Sequence, residues 1–123
     1  MKIGAIVICR YNSSRLPGKI LKKINGKPIL TYIIERLKCV KNLDDFIVAT
    51  SINTTDQPIV DYCIKNQIKY FRGSLENVAE RFLHAGLKFH YDYAIRVNGD
   101  NLFLDHKLIS EMISVLDLNH YDL

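Results

Sequence analysis

Seven consecutive residues without a polar side chain, Ile3 to Cys9, run straight into a basic loop, Arg10-Tyr11-Asn12-Ser13-Ser14-Arg15-Leu16-Pro17-Gly18-Lys19. A stretch that is apolar at every position, rather than at alternate ones, suits a strand covered on both faces. Such strands belong mostly to parallel sheets flanked by helices. The run falls well short of the ~20 residues a membrane span needs. No small-residue cleavage site follows it, so it reads as a strand and not as a signal peptide.

Behind that run, strand-like and helix-like segments alternate. Pro28 stands where a helix begins, and Ile29, Leu30, Ile33, Ile34 and Leu37 recur at helical spacing. Residues 46–50 read as a second strand. Thr55 or Asp56 is placed to cap a helix carrying Ile59, Val60, Cys63 and Ile64. Residues 68–71 read as a third strand, and Ser74 as the cap of a helix with the stripe Leu75, Val78, Ala79, Phe82 and Leu83. Residues 93–97 give a fourth strand, and Asp105 caps a last helix with Leu108, Ile109, Met112, Ile113 and Leu116.

This rhythm predicts a single α/β domain over residues 1–123, a doubly wound and mainly parallel sheet. Right-handed crossovers with one reversal put the strands in the order 3-2-1-4. Ligands of such sheets bind at the reversal, outside the carboxyl ends of the strands. There the basic loop after the first strand meets Asn98-Gly99-Asp100-Asn101 after the fourth.

Charge is distributed unevenly. Residues 1–34 hold seven of the 17 Lys and Arg and none of the 13 Asp and Glu, leaving ten basic against thirteen acidic residues in the remainder. Nucleic-acid binding needs basic residues spread over a face or helix. Concentration on one loop predicts a small polyanion, with triphosphate the obvious candidate, and excludes nucleic acid as the leading partner. Ser13, Ser14 and Gly18 allow the backbone to approach an anion. Arg10, Arg15 and Lys19 supply charge, Arg as a fork and Lys as a point. The spacing matches neither a P-loop nor a dinucleotide fingerprint.

Asp100, at a strand end facing that loop, is placed to hold Mg²⁺, which favours one or two carboxylates together with phosphate oxygens. Arg72 either reaches a substrate or pairs with Glu76. Glu76, Glu80 and Arg81 are spaced as an exposed helix face. Cys9, Cys39 and Cys63 lie far apart without a C-x-x-C, and the four His show no metal-ligand spacing, so three reduced thiols are expected.

These residues carry a resemblance. Arg10 through Lys19, with Leu21, Gly26-Lys27-Pro28 and Ile34-Glu35-Arg36, resembles the opening of the cytidylyltransferases, an R-x-x-S-x-R-L-P-G-K loop followed by a G-K-P helix start. Arg72-Gly73-Ser74 with Val78 and Arg81-Phe82, and Arg96-Val97-Asn98-Gly99-Asp100 with Asp105, resemble two later segments of the spore-coat-polysaccharide type. The resemblance implies a nucleotide-diphospho-sugar-transferase-like fold. It also implies transfer of CMP from CTP to a sugar acid or related acceptor, with release of pyrophosphate, in surface polysaccharide synthesis; the cytoplasm is the location expected from an apolar run too short for a span and unlike a signal peptide. Arg10, Arg15 and Lys19 would then neutralise the triphosphate and Asp100 would bind catalytic Mg²⁺. The backbone at Ile8 and Cys9 would approach the cytosine, and Arg72 would lie near the nucleotide or acceptor.

Two positions depart from the family pattern. Cys9 replaces a common Ala, and Asn101-Leu102 replaces the commoner Cys-Pro. The family's second half, with much of its acceptor site and its dimerisation element, has no counterpart here. A truncated domain is therefore expected, its fourth strand an apolar edge open to a missing half or a second copy. The alternatives are a catalytically silent nucleotide-binding module and a sugar-1-phosphate nucleotidyltransferase using another nucleotide.

Overall fold

The structure is a computed structural model that describes residues 1–12, 16–99 and 104–119, the last three as backbone only. The chain runs β1 (Ile3–Ile8), β2 (Lys23–Ile24), β3 (Lys27–Pro28), α1 (Ile29–Leu37), β4 (Asp45–Ser51), α2 (Gln57–Lys65), β5 (Tyr70–Gly73), α3 (Val78–Lys88), β6 (Tyr93–Asn98) and α4 (His106–Asn119). The apolar run forms β1, which is buried at all six positions. It pairs in parallel with β4 on one side and β6 on the other, in the sheet order β5-β4-β1-β6. This is the expected 3-2-1-4 order of the long strands.

Because successive side chains of a strand point to opposite faces, β1 divides its residues between two layers. Ile3, Ala5, Val7 and Cys9 join Leu30, Ile33 and Leu37 of α1, Ile59 and Cys63 of α2, and Ile109 and Ile113 of α4. Ile6 and Ile8 join Ile47, Ala49 and Ala85, with Phe71, Val78, Phe82, Phe89 and Tyr91 packed around them. One face thus carries three helices and the other only α3. On that second face β6 presents Ala94, Arg96 and Asn98, all three exposed.

Several local details differ from expectation. An Asn25-Gly26 turn, with φ of 52° and 83°, closes a short hairpin of β2 and β3 before α1. Asn-Gly readily takes the two positive φ values of such a turn. Ser74 does not cap α3. Asn77 does, its side chain accepting from Glu80 N at 3.0 Å, while Ser74 Oγ accepts from Asn77 N one turn earlier. Asp56 stands at the N-cap position ahead of α2, as expected, but its side chain makes no capping hydrogen bond to the helix. Asn53 caps the 3-10 turn Thr54–Asp56 ahead of it, and the Asp56 carboxylate turns inward. Asp105 does cap α4, accepting from Lys107 N and Leu108 N. Among the described residues no helix is long and apolar enough to cross a membrane.

Two consequences are measurable. A Cβ on Gly4 would overlap the ring of Tyr91, and that ring is tied down because its hydroxyl donates to Asp45 at 2.9 Å. Gly4→Ala should therefore cost about 1–3 kcal/mol and lower the melting temperature by several degrees; an unchanged melt would contradict the packing. Burial pushes the Cys63 thiol from 9.0 up to about 12 and raises those of Cys9 and Tyr91. The folded state holds these protons where the unfolded chain releases them. Stability is full below about pH 9 and falls as pH rises from there toward 12. Urea midpoints measured between pH 8 and pH 11 should decline; a rising midpoint would refute the assignment.

Candidate active site

The carboxyl ends of β1 and β6 open onto a cavity of about 320 Å³ lined by Ile8, Cys9, Arg10, Lys19, Ile20, Ile29, Val78, Arg81, Arg96, Asn98 and Gly99. It lies at the reversal in strand order, where two loops leave adjacent strands in opposite senses. Gly99 N donates to Ile8 O at 2.8 Å, drawing the end of β6 against the end of β1. A Cβ on Gly99 would lie 2.6 Å from Cys9 Cβ and 3.1 Å from Ile8 O, so only glycine allows this approach.

Among the described residues, four cations and no carboxylate line the cavity: Arg10, Lys19, Arg81 and Arg96. Two of them, Arg10 and Lys19, were expected. Arg81 is a correction, for it is not on an exposed face but fully buried, at 0% exposure. Its Nε donates to Ser74 O at 2.9 Å and Nη2 to Leu75 O at 3.2 Å, while Nη1 has no partner among the described residues. Room for its stem comes from Gly73, where a Cβ would lie 2.9 Å from Arg81 Cγ. Burial draws its pKa down, Asp56 opposes that shift, and the charges of Arg10 and Arg96 reinforce it. A guanidinium stays protonated in proteins, so the wall is positive and calls for an anion. Arg96 was also missed as a site residue. Its alternation with Asn98 along β6 was the available signal, as was the position of Arg81 three residues after Val78 in the apolar stripe of α3.

The structure sets Arg72 elsewhere. Its fork donates to Ser51 O, Asn53 O and Gln57 Oε1, each at 2.9 Å, and it borders an open depression beside β5 rather than the cationic cavity. Its donors hold the loop after β4, and Glu76 is not among their partners. Ser13, Ser14, Arg15 and Asp100 lie outside the described residues. Gly18 follows the loop with φ of +76°, and the Tyr11 hydroxyl sits 2.8 Å from where its Cβ would be. Among the described residues no group of three His, Cys, Asp or Glu is placed to hold a metal ion.

A positive cavity of this kind should prefer a compact polyanion to simple salt. Millimolar tripolyphosphate should raise the melting temperature above that in sodium chloride of equal ionic strength, and Lys19→Ala should reduce the rise. Equal melts in the two salts would count against an anion site.

The fold has clear counterparts. Residues 4–122 match the family model described as cytidylyltransferase, and the chain belongs to that family. It is 34% identical to the spore coat polysaccharide biosynthesis protein SpsF of Bacillus subtilis, over 95% of this chain and 49% of that protein. Among solved structures, a cytidylyltransferase of Leptospira borgpetersenii superposes with a TM-score of 0.89 at 32% identity, covering 97% of this chain and 50% of that one. A CMP:2-keto-3-deoxy-manno-octonic acid synthetase complexed with CTP superposes with a TM-score of 0.79 at 25% identity, covering 98% and 49%. The chain spans about half the length of the curated relatives it matches.

Proposed function

We propose that this chain binds CTP in the cavity between β1 and β6 and transfers CMP to a sugar acid or related acceptor, releasing pyrophosphate, in surface polysaccharide synthesis in the cytoplasm. The observation that carries the reading is the concentration of four cations among the described residues at the reversal of the sheet. The acceptor classes come from the relatives, one a spore coat polysaccharide protein and one an octonic acid synthetase holding CTP.

In this reading Arg10 and Lys19, with Arg15 and the Ser13-Ser14-Gly18 backbone, grip the triphosphate. Ile8, Cys9 and Val78 border the cytosine, and Arg81 makes the wall behind it positive. An acceptor oxygen attacks the α-phosphorus, its bond to the bridging oxygen breaks, and pyrophosphate departs while the acceptor proton passes to water. Such transfers are accelerated mainly by positioning and by fixed charge facing the developing anion. Asp100, next in sequence after the Gly99 that closes the cavity floor, is the carboxylate proposed to hold Mg²⁺. The charged side chains that the described residues bring to the cavity are all cationic, which suits a phosphate-bound ion needing one protein carboxylate. When bound, the ion adds neutralisation of phosphate charge.

The half-length match and the open edge of β6 favour a second reading, a nucleotide-binding module silent in catalysis until a second half or another copy joins that edge. A sugar-1-phosphate nucleotidyltransferase would choose a different nucleotide. Thermal unfolding with Mg²⁺ and each of CTP, UTP, GTP and ATP separates the readings. CTP at ~100 times its dissociation constant should add about 2.7 kcal/mol, a selective shift of several degrees that Lys19→Ala and Arg81→Met each diminish. A cooperative melt that no nucleotide moves would refute the CTP reading. A CTP shift without pyrophosphate release, with an octulosonic acid supplied, would favour the silent module.

A further inference from the structure

Asp56 is 1% exposed and forms no ion pair with any described residue. It stands outside the lining of the cationic cavity, yet it touches the loop that supplies the cavity's charge. One carboxylate oxygen, Oδ1, accepts from Tyr11 N at 2.7 Å. The other accepts from Ser51 N at 3.3 Å and from Ser51 Oγ. A buried carboxylate is costly unless its oxygens are satisfied, so three donors converging on it mark a built junction.

Tyr11 carries that junction into the loop. Cys9 N donates to Ala49 O at 3.2 Å, the last backbone bond of β1 to β4 on that edge. Two residues on, the Asp56 side chain stands in for the missing ladder partner. Tyr11 O in turn accepts from Gly18 N at 2.7 Å, closing the loop at its base. The Tyr11 hydroxyl lies against Gly18, whose φ of +76° leads into the turn that carries Lys19. The path from Asp56 to Tyr11 to Gly18 therefore fixes where the loop leaves β1 and where it returns, with Arg10 at one end and Lys19 at the other.

We infer that Asp56 is a positioning residue for the polyanion loop, holding Arg10 and Lys19 at the spacing a triphosphate requires by anchoring Tyr11. The inference rests on the proposed nucleotide site. Its role is geometric: the carboxylate touches no ligand and sets the cations that do. Asparagine keeps one acceptor for Tyr11 but loses the charge and offers Ser51 N a donor. Alanine removes both acceptors.

The test uses the 123-residue chain with Asp56→Ala, Asp56→Asn and, as a control for damage to the same junction, Ser51→Ala, which leaves the bond to Tyr11 in place. Three readouts are taken below the melting point of every variant. These are the dissociation constant for Mg-CTP, that for inorganic tripolyphosphate, and amide exchange at Cys9, Tyr11 and Gly18. Asp56→Ala should weaken both anions by roughly ten-fold or more, the loss expected from one charge-assisted hydrogen bond. Asp56→Asn should weaken them by less, and Ser51→Ala should hold affinity within about two-fold. Tyr11 and Gly18 should exchange faster in the Asp56 variants while Cys9 keeps its protection. If Asp56→Ala does not fold, the graded loss in Asp56→Asn carries the same reading.

Wild-type affinity for both anions in the Asp56 variants, or unchanged exchange at Tyr11 and Gly18, would overturn the inference. Wild-type chain that binds tripolyphosphate but not CTP would refute the nucleotide reading alone, with the tripolyphosphate series still deciding the role of Asp56. Wild-type chain that binds neither would refute both.

Discussion

The structure depends on β1 being buried on both faces and paired on both edges. All six of its residues are shielded, with β4 and β6 taking its hydrogen bonds and helices covering each side. At roughly 25 cal/mol per Å² of apolar surface removed from water, that strand alone commits the chain to a layered α/β arrangement. The commitment sets the place of everything polar that follows. When β1 ends, the chain has lost its ladder, its cover and its apolar side chains together. It emerges at the strand-order reversal beside the end of β6. The cationic cavity is where the most buried element of the fold meets water.

That position makes charge both useful and expensive. Arg81 gives up its hydration, keeps two backbone acceptors and leaves one nitrogen without a partner among the described residues, while Arg10 and Arg96 repel it. Asp56 gives up its own hydration to anchor Tyr11. Neither group adds apolar burial to the core, and each loses hydration on being buried. Both make sense if a polyanion occupies the cavity, since its charge would offset the repulsion among the guanidinium groups.

Much of this was legible in the residues themselves. An apolar run with no alternation could be little other than a central parallel strand, and the helical spacing of Ile29, Ile33 and Leu37 required a face to bury. The crossover rule then ordered the strands, and order placed the site. Reading failed where tertiary contacts overrode local type. The spacing of Arg81 with Glu76 and Glu80 suits an exposed helix face, although three residues after Val78 Arg81 falls on the inward side of α3 and is buried. Asp56 was read as a cap for its place before a helix, whereas it bonds backward to Tyr11 and Ser51. The hairpin of β2 and β3 was too short for any period to show, though Asn25-Gly26 marked its turn. The resemblance puts Arg72 near the nucleotide or acceptor, and no local pattern shows that its guanidinium bonds to the loop after β4.

The most direct test of the central claim, that the cationic cavity at the ends of β1 and β6 is the nucleotide site, is a titration of ¹⁵N-labelled chain with Mg-CTP followed by amide chemical shifts. The account predicts saturable shifts centred on Cys9, Arg10, Tyr11, Gly18, Lys19 and Gly99, fading along β1 and β6. Shifts centred on Ile52 to Thr54 and Arg72 to Glu76, the depression beside β5, would place the ligand elsewhere and contradict it.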